Sequence, residues 1–274
     1  MGAVRKLMDW IKLAVCVVLV FPLLIYFLQE RLIFFPQPLA SDPLRDHPDG
    51  RIEAVSLDAG EEIALHGWLA KADGGPAPVL IYFGGNAEEV SWLAATARRY
   101  AGWSLLLFNY RGYGASGGKP SEAALFDDAL RIYDYARARA AGGRVAVMGR
   151  SLGSGVAVYL ASQRPLAGVI LVSPYDSVER VAEGVYPYLP IRLMLKHRFD
   201  SIARAPMIKA PLLCLAASDD SVIPLAHSER LFAAWGGAKR WQLIAPAAHD
   251  SIAERAEYWR AIEAFLRSAQ APEA

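Results

Sequence analysis

The chain has 274 residues, of which 54% are hydrophobic, and its 29 basic and 28 acidic residues give a formal net charge of +1. This length suits one large α/β domain, and the near-neutral charge leaves no basic field for a nucleic-acid partner. Cys16 lies in an apolar N-terminal stretch and Cys214 in a predicted strand, so the two cysteines predict neither a disulfide nor a metal site.

The first feature along the chain is an uncharged, mainly apolar stretch at residues 13–28, which residues 10–12 extend. About 20 such residues span a hydrocarbon core of roughly 30 Å, and Trp10 suits a membrane interface. We predict a transmembrane anchor at residues 10–29, after a cytoplasmic N-terminus at residues 1–9. A cleaved signal peptide and a buried core helix are the alternatives, but no small-residue cleavage site follows the stretch.

The charges that flank the predicted anchor indicate its orientation. Arg5, Lys6 and Lys12 precede the span, whereas only Arg31 and Arg45 follow it closely. Because basic residues favour the cytoplasmic side, we expect a single-pass protein of a bacterial inner membrane with its catalytic domain outside the cytoplasm.

A proline-rich linker at residues 30–50 leads to a domain at residues 51–270. Residues 51–70 alternate like two strands around a turn at residues 58–60. Short apolar strands then alternate with helix-length segments, which predicts a mostly parallel sheet covered by helices on both faces. The predicted strands are 78–83, 103–109, 144–148, 168–173, 211–217 and 239–245, and the predicted helices are 88–100, 121–140, 153–163, 225–235 and 251–268.

One long interval, residues 174–208, interrupts this alternation and is rich in Tyr, Leu and Pro. We interpret it as a helical lid over a ligand site, with an extra helix packed on the sheet as the alternative. The residues predicted to bind substrate from this lid are Tyr175, Tyr186, Tyr188 and Leu193.

The chemistry is predicted by GRSLG at residues 149–153, where one serine stands between two glycines after a strand and before a helix. At such a corner the turn exposes the serine Oγ, and glycines two positions away avoid a steric clash. We therefore predict that Ser151 is a nucleophile. A second G-x-S-x-G around Ser116 has no adjoining strand or helix and is interpreted as a glycine loop.

The partners of such a serine follow in the order acid, then base. His249 lies in the loop between the last strand and the last helix, where a base can reach the carboxyl edge of the sheet. His227 falls within a predicted helix and is interpreted as a surface or hydrogen-bonded residue. Asp220 is the preferred acid, with Asp219 and Asp176 as alternatives, because a carboxylate there would orient the imidazole.

The oxyanion of a tetrahedral intermediate needs two N–H donors near Ser151. We assign them to the backbone N–H groups of Asn86, in the loop YFGGNAEE, and of Leu152, which follows the serine. An ordinary glycine turn capped by Asn86 is the alternative interpretation of that loop.

The chain resembles α/β-hydrolases of the membrane-anchored, serine-aminopeptidase-domain-like type over most of residues 31–268. This resemblance implies an α/β-hydrolase fold and a triad of the matched serine, aspartate and histidine, here Ser151, Asp220 and His249. Three positions depart from the pattern: Gly84 replaces a usual histidine, and Ala217 and Ala248 replace usual glycines. The matching segments are RLIFFPQP, YFGGNAEE, LFNYRGYGASGGKPSE, GRSLGSGVA, SPYDSV, YPYLPIRLMLKHRFDS and SDDSVIP.

Together these features predict a membrane-anchored serine hydrolase that cleaves acyl esters or thioesters and needs neither a metal nor an organic cofactor. A small-molecule or lipid-like acyl substrate is expected, because the apolar insertion and the predicted anchor would lie beside the site. A serine (amino)peptidase or amidase is the alternative, and a catalytically silent membrane scaffold is the second.

Overall fold

A computed structural model of the protein describes residues 2–46, 50–60 and 62–270; within the first helix the side chains of residues 3, 7, 11 and 13–19 lie outside this description. Eight strands form one sheet in the order β1-β2-β4-β3-β5-β6-β7-β8. The first two strands pair antiparallel, β2 also pairs antiparallel with β4, and all other pairs are parallel. The strands are β1 Ile52–Asp58, β2 Ala64–Ala70, β3 Val79–Phe83, β4 Ser104–Phe108, β5 Val145–Arg150, β6 Gly168–Val172, β7 Leu212–Ala217 and β8 Lys239–Ile244.

Every predicted strand is present, and the predicted hairpin is the pair β1–β2. Strands β3, β4, β6 and β7 are buried along their whole length, as expected for parallel strands covered on both faces. Alternate side chains of β5 enter different cores: Val147 packs on one face, and Ala146 and Met148 pack on the other. The mostly parallel α/β architecture predicted from the sequence is confirmed.

Helices cover both faces of this sheet. The predicted helix at 88–100 is a 3₁₀-helix at Ser91–Arg99, and the helix at 251–268 begins with a 3₁₀ turn at Ile252–Glu254. The α-helices are α1 Gly2–Ile33, α2 Pro43–Asp46, α3 Glu122–Arg139, α4 Leu152–Gln163, α5 Val178–Val185, α6 Ile191–Met194, α7 Ser201–Arg204, α8 Leu225–Ala234 and α9 Ala256–Gln270.

The predicted transmembrane anchor, residues 10–29, falls within α1, which is longer than the prediction at both ends. Part of the anchor, residues 11 and 13–19, lies outside the described side chains. Among the residues that the structure does describe, no helix is both long and apolar enough to cross a membrane. The described part of the chain therefore does not support the predicted anchor.

The end of α1 contacts the insertion between β6 and β7. The Gln29 side chain is buried, donates to the Met194 carbonyl at 3.1 Å and accepts from the Lys196 N–H at 2.8 Å. Phe34, just beyond the helix, lies edge-on to His197 and Phe199. The N-terminal helix is thus attached to the α/β domain through the insertion.

The insertion is helical, as predicted, and contains α5, α6 and α7. It packs on the domain through α7, which contacts α4, and through Phe199, which is 1% exposed and lies edge-on to Phe126. Tyr188 and Leu193, in contrast, are 95% and 86% exposed. The insertion thus packs on helices of the domain, and its role as a lid over a ligand site stays a prediction.

Candidate active site

The candidate site lies at the carboxyl edge of the sheet between β3 and β5. The chain leaves β3 towards β4 on one side, whereas β5 is followed by β6 on the other. A crevice forms where the strand order changes direction in this way, and ligands of open α/β sheets bind there. The loop after β3 and the turn after β5 therefore meet at a place suited to chemistry.

Ser151 occupies the sharp turn between β5 and α4. Its φ of 50° and ψ of −118° are strained for a residue with a side chain. The turn is held by the Ser151 N–H, which donates to the Val172 carbonyl at 2.9 Å, and by the Ser154 hydroxyl, which donates to the Ser151 carbonyl at 2.6 Å. The strain is maintained by bonds to the neighbouring strand and helix, as in a nucleophile elbow.

The glycines around Ser151 are required by close backbone approach. A Cβ at Gly149 would lie 2.7 Å from the Gly153 carbonyl carbon and 2.8 Å from the Ala157 Cβ. A Cβ at Gly153 would lie 2.6 Å from the Gly84 carbonyl oxygen. The elbow can thus pack against both its own helix and the end of β3 only because these two side chains are absent.

His249 and Asp220 form a buried pair. The His249 Nδ1 lies 2.8 Å from Asp220 Oδ2, and the two side chains are 10% and 2% exposed. The other oxygen of Asp220 accepts from the N–H groups of Val222 at 3.0 Å and Ile223 at 2.7 Å. With Asp220 ionised, the neutral imidazole carries its proton on Nδ1 and leaves Nε2 free to accept one.

The pKa of the Asp220 carboxyl is lowered. Burial alone would raise this pKa, but the hydrogen bonds from His249 and from the Ile223 N–H stabilise the ionised form and outweigh it. Asp220 is therefore an anion at neutral pH and can stabilise an imidazolium beside it.

Ser151 and His249 line the same cavity, which has a volume of about 590 Å³. No hydrogen bond joins the two side chains among the contacts of the described residues. Hydrogen bonds between a nucleophile and its base are often long in the absence of substrate and tighten in the complex. The walls of this cavity come from the loops after β3, β5, β7 and β8 and from residues 37–40 of the segment after α1.

Asn86 also lines this cavity, and its carbonyl group is fixed from behind. It accepts from the Tyr113 hydroxyl at 2.5 Å and from the Phe35 N–H at 3.0 Å. Leu152 is the first residue of α4, so its N–H belongs to the first turn, where donors have no partner within the helix. Both predicted oxyanion donors thus border the region of Ser151, and their role stays a prediction.

Sequence reasoning missed Arg150, a charged residue of this site, and the contact that joins it to Glu88. The Glu88 carboxylate accepts from the Gly85 N–H at 2.7 Å and from the Tyr82 hydroxyl at 2.9 Å. Arg150, the residue before the nucleophile, contacts Glu88, the His249 carbonyl and Asp250. The sequence did contain a signal for Arg150, because a charged residue at the end of the otherwise apolar strand β5 is unusual.

A second histidine–aspartate pair lies outside this cavity. His227 is buried, and its Nδ1 lies 2.6 Å from Asp176 Oδ1; Arg230 Nε donates to Asp176 Oδ2 at 2.6 Å. His227 is therefore a hydrogen-bonded residue within the fold and not a surface residue. Asp176, an alternative acid in the sequence, partners this histidine and not His249, while Asp219 accepts from Ser218 at 2.7 Å.

The four residues predicted to bind substrate from the insertion do not line the cavity that holds Ser151. Tyr175 is 2% exposed, and its hydroxyl donates to the Leu152 carbonyl at 3.0 Å, so it supports the nucleophile helix from below. Tyr186, Tyr188 and Leu193 lie farther along the insertion, which packs beside α1 and α4. Their role in binding substrate stays a prediction, because spacing along the chain does not reveal which face the insertion covers.

Ser116, in the second G-x-S-x-G, is not at a strand-to-helix corner, as predicted. Its hydroxyl accepts from the His66 N–H and donates to the Asn109 carbonyl, both at 2.9 Å, and the residue is buried. Ser116 therefore joins two backbone segments. Among the described residues, no group of three or more His, Cys, Asp and Glu side chains could hold a metal ion.

The chain is similar to known proteins in three comparisons. A family model described as "Serine aminopeptidase, S33" matches residues 74–196, which include the loop after β3 and Ser151. An uncharacterized protein of Mycobacterium tuberculosis, Rv2307c, is 38% identical over 231 residues, covering 81% of this chain and 80% of its own length. The lysophosphatidylserine lipase ABHD12 of Gallus gallus is 30% identical over 189 residues, and the match covers 60% of this chain and about half (49%) of that protein.

Among solved structures, the esterase Pf2001 of Pyrococcus furiosus superposes with a TM-score of 0.65. The superposition covers 85% of this chain and 98% of the esterase, at 17% sequence identity. A likeness at this identity shows the shared fold.

Proposed function

Since the chain belongs to the α/β-hydrolase family, in the group described as serine aminopeptidase S33, we propose that it is a serine hydrolase that cleaves acyl esters or thioesters. One observation carries the proposal: a strained serine and a histidine that is hydrogen-bonded to a buried aspartate line one cavity. The three residues come from different loops of the sheet edge, and structural support of the fold alone does not require them to meet there.

The proposed reaction has two acyl-transfer steps. The Ser151 Oγ attacks the substrate carbonyl and transfers its proton to His249 Nε2, while Asp220 holds the resulting imidazolium. The oxyanion is stabilised by the N–H groups of Asn86 and Leu152. His249 then gives its proton to the departing alcohol or thiol, and water repeats the sequence on the acyl-enzyme to release the acid and restore Ser151.

The contacts of three carboxylates argue against their use in an aminopeptidase. An aminopeptidase needs a free carboxylate to bind the substrate amine, and Glu88, Glu89 and Asp176 are candidates for this role. The Glu88 carboxylate accepts hydrogen bonds from Gly85 and Tyr82. Glu89 is buried and accepts from the Ser91 hydroxyl and the Asn109 amide. Asp176 contacts His227 outside the cavity. None of these three groups is available to bind an ammonium ion.

A fluorophosphonate probe tests the nucleophile. We expect the probe to label the wild-type protein and to leave Ser151→Ala unlabelled, with Ser116→Ala labelled as in the wild type. Labelling that persists in Ser151→Ala would reject the assignment. Absence of labelling in the wild type would favour the catalytically silent scaffold.

A substrate panel tests the chemical class. We expect hydrolysis of p-nitrophenyl esters within a series from acetyl to palmitoyl, and a lysophospholipid belongs in the panel because the Gallus gallus relative is named for one. Aminoacyl amides matched to aminoacyl esters provide the comparison. Faster cleavage of the amides would replace the esterase proposal with the peptidase alternative.

For localisation, we propose that residues 10–29 anchor the protein in a bacterial inner membrane with the catalytic domain outside the cytoplasm. The support is the apolar composition of residues 13–28 and the basic residues before them. A C-terminal fusion to a reporter that is active only outside the cytoplasm tests the orientation. An inactive reporter on an expressed, membrane-bound fusion would reverse it, and a fusion recovered without the membrane would reject the anchor.

A further inference from the structure

Three loops must keep fixed positions for the proposed reaction: the oxyanion loop at residues 84–88, the turn that carries Ser151, and the base loop at residues 248–250. Each follows a different strand, namely β3, β5 and β8. Acyl transfer depends on their relative placement, because a misplacement of about 1 Å can reduce the rate by about 10²-fold. One side chain, carried at the start of the turn of Ser151, contacts both of the other loops.

That side chain is Arg150, which precedes the nucleophile in the chain. Its Nη2 donates to the His249 carbonyl at 3.3 Å and to Asp250 Oδ1 at 2.8 Å, in the base loop. Its Nη1 donates to Glu88 Oε2 at 3.4 Å, in the oxyanion loop. A planar guanidinium can bind acceptors on two sides at once in a fixed geometry, which an ammonium group cannot do.

Glu88 carries this connection into the oxyanion loop. Its side chain is 9% exposed, and Oε2 accepts from the Gly85 N–H at 2.7 Å, one residue before the predicted donor Asn86. A buried carboxylate is costly without a counter-charge, and Arg150 supplies it. Burial lowers the pKa of Arg150, but the attraction of Glu88 and Asp250 more than offsets it, so the pKa is raised and the guanidinium stays charged.

The space beside Gly84 is occupied in part by Glu88 itself. A Cβ at Gly84 would lie 3.1 Å from Val90 Cγ1 and 3.4 Å from both the Glu88 Cβ and Oε2, so Glu88 and Val90 occupy the space that a side chain would take. The loop is held from Glu88 instead.

We propose that Arg150 and Glu88 form a positioning pair that fixes the oxyanion loop and the base loop relative to Ser151. The proposal rests on the serine-hydrolase function proposed above. The pair does not touch the reacting atoms; it acts through Gly85 and the backbone of His249. Its loss therefore weakens stabilisation of the transition state more than binding of the ester.

The expected kinetic effect follows from this role. Arg150→Met keeps much of the apolar stem and removes both connections, so we expect kcat to fall about 10- to 100-fold with KM changed less than about threefold. Arg150→Lys keeps the charge but not the fork and should recover part of the loss. Glu88→Gln keeps an acceptor for Gly85 and should lose about 10-fold.

Two readouts separate positioning from general support of the fold. An aryl trifluoromethyl ketone forms a tetrahedral adduct with the serine, so its Ki should rise by the same factor as kcat/KM falls. In addition, the double variant Arg150→Met/Glu88→Gln should be no slower than the worse single variant, because both substitutions break the same connection, the one between Arg150 and Glu88. Arg164→Met, which removes an arginine–aspartate pair at the far end of α4, is the matched control and should retain wild-type kinetics.

The outcomes are distinguishable from failure of the proposed function. If the wild type is not labelled by a fluorophosphonate, the hydrolase proposal fails, and the positioning role fails with it. If the wild type is labelled and hydrolyses esters, two results would overturn the positioning pair alone. One is an unchanged Ki of the trifluoromethyl ketone for folded Arg150→Met. The other is a loss of kcat/KM in the double variant equal to the product of the two single losses. Should Arg150→Met not fold, Glu88→Gln and Arg150→Lys provide the same comparison.

Discussion

The substitution Gly153→Ala tests the tight packing of the nucleophile elbow. A Cβ at this position would come within 3.0 Å of two backbone carbonyl groups, those of Phe83 and Gly84, at the end of β3. Backbone atoms cannot rotate away as a flexible side chain can. The new methyl group must therefore push α4 and the start of the oxyanion loop apart.

The size of the effect follows from these contacts. The Gly84 carbonyl oxygen would be 2.6 Å from the new Cβ, and it also accepts from the Tyr110 hydroxyl at 2.9 Å, so its displacement disturbs a buried hydrogen bond. Overpacking of this kind costs about 1–3 kcal/mol. At about 2–4 °C per kcal/mol for a domain of this size, we expect Tm to fall by roughly 2–12 °C. A loop displacement on the order of 1 Å should lower kcat/KM by about 10²-fold.

Gly184→Ala is the matched control. Gly184 lies in α5, and a Cβ there would meet no atom within 4 Å. Because alanine favours the helix by up to about 1 kcal/mol, this variant should keep or raise Tm and retain wild-type activity.

Thermal unfolding followed by circular dichroism and ester hydrolysis by the folded protein are the two assays. A Gly153→Ala protein with both the Tm and the kcat/KM of the wild type would refute the steric reasoning. A fall in Tm of the same size in Gly184→Ala would show that the loss does not come from the elbow.

The remaining predictions concern the second histidine–aspartate pair, the attachment of α1 and the buried thiol of Cys214. Burial alone would raise the pKa of Asp176, but the hydrogen bonds from His227 and Arg230 outweigh it and lower this pKa. The ionised Asp176 therefore stabilises the folded protein fully above the unfolded pKa of about 3.9, and this stabilisation is lost as pH falls through the folded pKa. Asp176→Asn should thus lower the free energy of unfolding by about 3 kcal/mol at pH 7, and urea titrations should show a smaller difference below about pH 4. The folded Asp176→Asn protein should keep most of its hydrolase activity, whereas Asp220→Asn should lose about 10⁴-fold in kcat. Equal activity losses in the two variants would contradict the choice of Asp220 as the acid. Gln29→Ala should speed hydrogen exchange at residues 194–197, because the Lys196 N–H loses its acceptor, and unchanged exchange there would argue against the attachment. Burial raises the pKa of the Cys214 thiol, so iodoacetamide should modify it only after unfolding, as read by peptide mass spectrometry; rapid modification of the native protein would contradict its burial.

Local signals in the sequence were sufficient for the sheet and for the position of the elbow. Short, fully apolar runs between turn residues, such as residues 78–83 and 168–173, are typical of strands covered on both faces, and the structure has β3 and β6 there. The two glycines around Ser151 predicted a strand-to-helix turn, because only a residue without a Cβ allows the backbone of the turn to come so close to α4 and to the end of β3. The order of the elements along the chain also indicated which loops would reach the carboxyl edge.

The sequence by itself thus determined the strands, the elbow and the small set of histidines and aspartates from which a site could be built. Only the tertiary structure decided their pairing: Asp220 meets His249, Asp176 meets His227, and Tyr175 lies beneath the nucleophile helix and not over the cavity. The connection from Arg150 to Glu88 across three loops likewise appears only in the folded chain. The physical reason is that an apolar run or a glycine restricts the backbone conformation and burial of residues adjacent in the sequence. Partners 29, 51 or 62 positions apart are set instead by strand order and by the side of the sheet that each connection covers.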